Sequence, residues 1–195
     1  GEGKEEKAAK YFTMMMLLML GTSLFFTVFG IAVLRPVARL FGATDAMMGD
    51  VMRYGGICLL FNIALQGQYT FQSYLVVAER PKLALGVIVA AGCTNMVLDF
   101  LFMAVFQWGT VGAALATGLS QCVASVLPFA WFVSKKNTSS LRFRKTSLEL
   151  VPMLKACANG ASEMMTSVSA AITGILYNLQ LMRHAGENGV AAYGV

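Results

Sequence analysis

Long stretches without a charged residue restrict what this sequence can fold into more than any other feature. The first stretch runs from Tyr11 to Leu34 and contains no Asp, Glu, Lys or Arg. The hydrocarbon core of a bilayer is about 30 Å thick, and a helix needs about 20 mostly apolar residues to cross it. Residues 11–34 are therefore predicted to form a membrane-spanning helix.

The same criterion predicts five spans in the chain. They cover residues 11–34, 54–78, 83–106, 110–133 and 152–182. The third and fourth are separated at Gln107-Trp108-Gly109, which offers a turn with an interfacial tryptophan. After residue 189 the sequence becomes apolar again, which predicts the start of a sixth helix.

Composition excludes the other broad classes of protein. Hydrophobic residues make up 57% of the chain and charged residues 13%, against about 25% charged in a soluble domain. The predicted fold class is therefore an all-α integral membrane protein, a polytopic helical bundle. Four scattered cysteines and one histidine favour neither a zinc site nor a disulfide framework. The spans contain no nucleophile–base pair or phosphate loop, so we expect neither an enzyme nor a bound cofactor.

Basic residues predict how the chain is oriented. Eleven of the 15 lie in residues 1–10, 79–82 and 134–155, and the other four lie in 35–53 and 183–189. Cytoplasmic segments are enriched in Lys and Arg, so the first group is predicted to be cytoplasmic. This accounts for the positive net charge without a nucleic-acid partner. Residues 135–151 resemble a flexible cytoplasmic connector.

Two carboxylates lie inside predicted spans, Asp99 and Glu163. A charged carboxylate at membrane depth costs roughly 2.5–3.5 kcal/mol on the lenient insertion scale, and such residues usually line a cavity or have a partner. Both are therefore candidates for function. The structural alternative is that they form hydrogen bonds between helices.

Asp99 has neighbours that suit a cation. Asn95 lies one helical turn earlier on the same face. Asp99 precedes Trp108 by nine residues and Thr117 follows it by nine, so in an antiparallel hairpin both are predicted about 13 Å below the turn. A carboxylate, an amide oxygen and a hydroxyl suit Na⁺, and the carboxylate alone suits a proton. No other metal site is predicted.

Polar residues also follow one face of the second and fifth spans. They predict either a hydrated cavity or hydrogen bonds between helices. In the second span the residues are Asn62, Gln66, Tyr69 and Ser73, and in the fifth they are Glu163, Ser167, Tyr177 and the neighbouring Asn178.

Several short sequence motifs together resemble those of the MATE (multidrug and toxic compound extrusion) transporters, and in particular their bacterial multidrug-export branch. The motifs include Arg80-Pro81-Lys82, Asn95-x-x-x-Asp99 and the small-residue run from Trp108 to Thr117. Asn159-Gly160-Ala161-Ser162-Glu163 and the run from Gly186 to Tyr193 extend the resemblance toward the end of the chain.

The resemblance implies a fold of twelve helices in two lobes. Residues 1–134 would form the end of the first lobe, 135–151 the connector, and 152–195 the start of the second lobe. The expected protein is a multi-pass, plasma-membrane antiporter of a bacterium that exports small cationic or amphiphilic compounds in exchange for Na⁺ or H⁺. Its expected partners are these compounds, the bilayer and the rest of the same transporter. The alternatives are a flippase for lipid-linked precursors and a structural membrane protein without transport activity.

The resemblance also implies roles for individual residues. Asn95, Asp99 and Thr117 match the family's cation-binding residues on the fifth and sixth helices. Glu163 falls near a glutamate on the seventh helix that another branch uses.

Overall fold

The computed structural model describes residues 2–40, 45–135, 137–144 and 149–193. All regular secondary structure within these ranges is helical, which confirms the predicted all-α class. The α-helices are α1 (Glu2–Leu40), α2 (Asp45–Leu60), α3 (Asn62–Val77), α4 (Pro81–Asp99), α5 (Gly109–Val133) and α6 (Leu150–Tyr193). A π-helical segment, Phe100–Val105, directly follows α4.

Three of the predicted spans have a counterpart that is long and apolar enough to cross a bilayer. Within the described residues these helical stretches are Glu5–Arg39, Pro81–Val105 and Gly109–Val133. They agree with the first, third and fourth predicted spans. The two ends of the hairpin turn at Gln107-Trp108-Gly109 also lie where the sequence predicts them.

The second predicted span, 54–78, differs from the structure in two ways. It is divided at Phe61 into α2 and α3, of 16 residues each. It also begins earlier, because α2 starts at Asp45 while α1 extends to Leu40. The predicted linker at 35–53 is therefore mostly helical. The helices can continue past the apolar runs because their charged side chains stay solvated, as in the exposed ion pair of Arg39 with Asp45 at 3.6 Å.

Helix α5 lies at the centre of the first unit, residues 1–147. It packs against α2, α3 and α4, and α1 packs against α2 and α3. The buried face of α5 consists largely of small residues: Gly112, Ala114, Ala116, Gly118, Ser120 and Ala124. Small residues allow helix backbones to approach closely in a membrane. A Cβ placed on Gly112 would lie 3.1 Å from the carbonyl oxygen of Phe102, so the two backbones pack closely here.

The predicted flexible connector is partly an ordered, docked segment. Residues 137–144 pack on the ends of α1 and α5, and Leu141 is buried in one apolar cluster with Phe12 and Phe132. Asn137 is 1% exposed. Its amide nitrogen donates to the carbonyl oxygens of Phe132 and Leu141 at 3.0 and 2.7 Å. Residues 136 and 145–148 of the predicted connector lie outside the described residues.

This polar segment is ordered because the side chain of Asn137 supplies hydrogen bonds to the backbone. The side-chain oxygen of Asn137 accepts hydrogen bonds from the backbone N–H and the hydroxyl of Ser139, at 3.0 and 2.6 Å. Asparagine commonly forms such turns. A polar composition predicted mobility here, but it also supplies the hydrogen bonds that hold the segment.

Helix α6 belongs to a second unit, residues 148–195, whereas residues 1–147 form the first. It runs without interruption from Leu150 to Tyr193. The sequence predicts a helix at 152–182 and a new helix near 189, so the predicted interruption between 183 and 189 is wrong. Residues 183–193 contain no proline, so every residue there can continue the helical hydrogen-bond ladder.

Candidate functional site

Asn95 and Asp99 lie one turn apart at the end of α4, and both side chains are half-buried. Asp99 is the last α-helical residue before the π-helical segment. Single π turns inside helices often occur at functional sites. The sequence predicts the carboxylate but not this change of helix type.

The π-helical segment changes the depth predicted for Asp99. The prediction assumes α-helical rise between Asp99 and Trp108, yet six of the intervening residues are π-helical. A π turn holds more residues than an α turn, so Asp99 lies nearer the turn than α-helical geometry predicts. Thr117 is measured along regular α5, and its predicted depth is unaffected.

Three aromatic side chains pack together at the turn between the π-helical segment and α5. Trp108 stacks on Phe102 with ring centroids 5.1 Å apart and lies 5.3 Å from Phe106. The backbone reverses through left-handed conformations at Gln107 (φ 55°) and Gly109 (φ 57°). Glycine adopts this conformation without steric cost, whereas glutamine does not.

Thr117 lies on α5, which packs along α4, but its side chain is exposed. No hydrogen bond joins the side chains of Asp99, Asn95 and Thr117, all three of which are described. The carbonyl oxygen of Thr117 accepts a hydrogen bond from the hydroxyl of Ser120 at 2.8 Å. The structure thus brings Asn95 and Asp99 together on one helix and Thr117 onto its packed neighbour. That the three bind one cation stays a prediction.

The polar residues of α3 do not share one environment. The amide nitrogen of Asn62 donates to the Ser23 carbonyl oxygen at 3.2 Å and to Thr27 Oγ1 at 3.3 Å, both on α1. Gln66 is half-buried, whereas Tyr69 is 63% exposed. Asn62 therefore serves as a link between helices, which is the structural alternative for this residue.

Ser73 is also exposed, and its hydroxyl donates to the Tyr69 carbonyl oxygen of the same helix at 3.0 Å. Tyr69 and Ser73 consequently lie on the open face of α3. Lining of a cargo cavity by Gln66 and Tyr69 stays a prediction.

The division between α2 and α3 is a feature that the sequence does not predict. Phe61 has φ −85° and ψ 1°, and its carbonyl oxygen accepts from the backbone N–H groups of both Ala64 and Leu65. The carbonyl oxygen of Leu59 accepts instead from the hydroxyl of Thr27 at 3.1 Å. In the sequence, Thr27 and Asn62 are polar residues inside two apolar runs. Their presence is the feature that could have indicated the division.

The candidate cavity residues of the second unit lie on α6. Glu163 and Ser167 are exposed and one turn apart, and Tyr177 is 54% exposed further along the helix. The side chain of Asn178 lies outside the described side chains. The hydroxyls of Thr166, Ser169 and Thr173 donate to carbonyl oxygens of α6 itself.

The described residues contain no group of three or more His, Cys, Asp or Glu side chains that could hold a metal ion. The candidate cation site has a single carboxylate, which suits a monovalent cation or a proton better than a transition metal.

A family model, MatE, matches residues 1–101, slightly more than half of the chain. This chain belongs to the MatE family. Membership in this family of membrane transporters confirms the resemblance drawn from the motifs. Together with the apolar helices and the bacterial relatives, it assigns the chain to the plasma membrane as a multi-pass protein.

Two staphylococcal relatives extend the match beyond residue 101. The chain is 27% identical over 162 residues to the multidrug export protein MepA of Staphylococcus saprophyticus, which covers 82% of the chain and 35% of the relative. It is 24% identical over 159 residues to MepA of Staphylococcus aureus, again over 82% and 35%. The chain thus spans about a third of the length of these relatives.

Solved transporter structures share the fold. A multidrug resistance MATE family transporter in an inward-facing conformation has a TM-score of 0.86 at 22% identity, covering 99% of this chain and 44% of that one. An outward-facing structure gives 0.86 at 22% identity, over 98% and 43%. A transporter of the MOP superfamily from Pyrococcus furiosus gives 0.85 at 22% identity, over 97% and 42%.

Proposed function

We propose that this chain is part of a secondary active exporter that moves small cationic or amphiphilic compounds out of the cell in exchange for Na⁺ or H⁺. The observation that carries the proposal is the half-buried carboxylate of Asp99, one turn from Asn95, in a helix that crosses the membrane. The relatives named as multidrug exporters support the class of cargo.

Coupling follows from the cost of a charged group at membrane depth. A lone carboxylate is costly there, while a protonated or Na⁺-bound carboxylate is not. Cation binding can therefore shift the balance between two helix arrangements in proportion to its differential affinity for them. In this proposal Asn95 and Thr117 add neutral oxygen ligands, and no cofactor is needed beyond the coupling ion.

The test is export of a fluorescent cationic dye by vesicles that contain the complete parent transporter, under an imposed Na⁺ or H⁺ gradient. Asp99→Asn retains the shape of the side chain and removes its charge. We expect it to abolish gradient-driven export at normal abundance, while Thr117→Ala has a smaller effect because it removes one neutral ligand.

Asp50→Asn is the matched control, since Asp50 is an exposed carboxylate in α2. It should export at the parental rate. Gradient-driven export at the parental rate by a stably expressed Asp99→Asn protein would contradict the proposed coupling.

Glu163 is proposed to contact cargo or protons from α6, together with Ser167, Tyr177 and Asn178. It lies about 16 Å from Pro152 along the helix, near mid-membrane. Glu163→Gln in the parent transporter should lower dye export more than it lowers protein abundance, and Glu5→Gln, at an exposed carboxylate in α1, should leave export unchanged. Equal export of several cargoes by the parent and by Glu163→Gln would leave Glu163 only a packing role.

A further inference from the structure

The interruption between α2 and α3 is imposed by neighbouring helices. Residues 59–62 contain neither proline nor glycine, the usual causes of a sharp break in a helix. On one side α1 contributes the Thr27 hydroxyl, which bonds to the Leu59 carbonyl oxygen at 3.1 Å. Leu59 itself packs against Gly30 of α1, where an added Cβ would lie 2.6 Å from Leu59 Cδ2.

On the other side, the aromatic ring of Phe61 packs against α5. The Phe61 ring lies on the backbone of Gly118, so closely that a Cβ at Gly118 would overlap the ring. Gly118 is buried and directly follows Thr117. The residue at which the second span breaks therefore contacts the main chain next to a candidate cation ligand.

The π-helical segment makes a comparable contact on the same helix. A Cβ at Gly112 would lie 3.0 Å from Phe102 Cβ and 3.1 Å from the Phe102 carbonyl oxygen. Phe102 belongs to the π-helical segment that begins immediately after Asp99. The π-helical segment, which directly follows Asp99, thus contacts α5 at Gly112, and the break at Phe61 contacts it at Gly118. The two glycines lie on either side of Thr117 in the sequence.

We propose that Phe61 is a positioning residue for the cation site, acting through Gly118 on Thr117. This inference rests on the proposed function. The α1 contacts hold the break at Phe61, and the ring then limits how α5 can shift or rotate at Gly118. Binding sites need their ligand groups held within about 0.5 Å, so loss of this contact should misplace the Thr117 hydroxyl relative to Asp99.

Two reciprocal substitutions test the proposal in vesicles containing the complete parent transporter, with dye export measured against Na⁺ or H⁺ concentration. Phe61→Leu removes the ring contact, and Gly118→Ala adds a methyl group that displaces the ring. Each should raise the half-saturating cation concentration by about tenfold, since displacements near 1 Å have effects of this order or larger. In the double variant that combines Phe61→Leu with Gly118→Ala, the half-saturating cation concentration should return toward the parental value. The smaller leucine side chain leaves room for the added methyl group.

Gly86→Ala in α4 is the matched control, because a Cβ there meets no atom within 4 Å. It should leave the half-saturating concentration unchanged. If the Gly118→Ala protein does not accumulate, Phe61→Leu and the double variant still test the positioning role of Phe61. A parental cation dependence in Phe61→Leu, or a double variant no better than the worse single variant, would overturn the proposal.

Asp99→Asn in the same vesicles separates this inference from the proposed function. If Asp99→Asn loses gradient-driven export while Phe61→Leu keeps the parental cation dependence, the positioning role alone fails. If Asp99→Asn retains gradient-driven export, the coupling site fails and the positioning role fails with it.

Discussion

Some polar side chains in this chain bond to backbone groups at a helix break or in the connector, where the regular helical partners are missing. Asn62 and Thr27 link α1 to the α2–α3 break, and Asn137 satisfies backbone groups in the connector. In a bilayer no water is available to replace these partners, so a released carbonyl must bond to protein. Polar residues within apolar runs are therefore not sufficient evidence of a cargo site. Asp99 differs because, among the described residues of the first unit, no side chain of another helix donates a hydrogen bond to its carboxylate.

The hydroxyl of Thr27 should contribute measurably to stability. Thr27→Val retains the shape of the side chain but leaves the Leu59 carbonyl oxygen without that partner. We expect a loss of about 1–2 kcal/mol in the free energy of unfolding, measured by thermal unfolding of the purified parent transporter in detergent. The matched control is Thr22→Val, whose hydroxyl bonds only to carbonyl oxygens of its own helix. Equal stability of the two variants would contradict the role given to Thr27.

At the scale of elements, the segment 137–144 behaves as part of the first unit and not as a free tether. It is joined to α1 by a hydrogen bond from the Arg144 backbone N–H to Thr13 Oγ1 at 3.0 Å and by an Arg144–Glu6 ion pair at 3.1 Å. The Arg80 guanidinium donates to Thr138 Oγ1 at 2.9 Å. The ion pair is exposed and contributes little by itself. Buried Leu141 and Asn137 are expected to contribute most to docking.

Docking of the connector predicts resistance to protease. Asn137→Ala removes a buried side chain that bonds to two carbonyl oxygens, a loss of about 1–3 kcal/mol. Local opening, and with it trypsin cleavage after Arg142 and Arg144, should become roughly tenfold faster or more. The measurement is limited trypsin digestion of inside-out vesicles, followed by mass spectrometry.

The exposed Ser140 provides a control, and Ser140→Ala should be cleaved at the parental rate. Cleavage after the exposed Lys135 provides an internal reference in every sample. If Asn137→Ala and Ser140→Ala are cleaved at Arg142 equally fast, the connector is not held by Asn137.

At the scale of the first unit, the structure groups the chain segments at two ends. The beginning of α1, the turn before α4 and the segment 137–144 contact one another through the Arg80 and Arg144 bonds. At the other end Leu34, Asp50, Tyr54 and Thr110 line one cavity of about 500 Å³. This grouping agrees with the distribution of basic residues, which predicts the first end to be cytoplasmic.

Cysteine labelling tests this orientation in the parent transporter with its native cysteines replaced. Lys82→Cys should react with an impermeant reagent only in inside-out vesicles, and Asp45→Cys only in intact cells. Both positions are exposed in this chain. Labelling of both positions from the same side would contradict the predicted orientation.

The amino-acid sequence alone determined three of the helices that can cross the membrane, at 11–34, 83–106 and 110–133, and the family that the chain resembles. Uncharged runs such as 11–34 and 110–133 predict helices because transfer of apolar side chains into the bilayer depends on local composition. The tertiary structure decided the interruption at Phe61 and the docking of residues 137–144. These features depend on hydrogen bonds between residues far apart in the sequence, 32 positions for Thr27 and Leu59 and 131 for Thr13 and Arg144. Local patterns carry no record of such partners, because the bonds form only after the helices have packed.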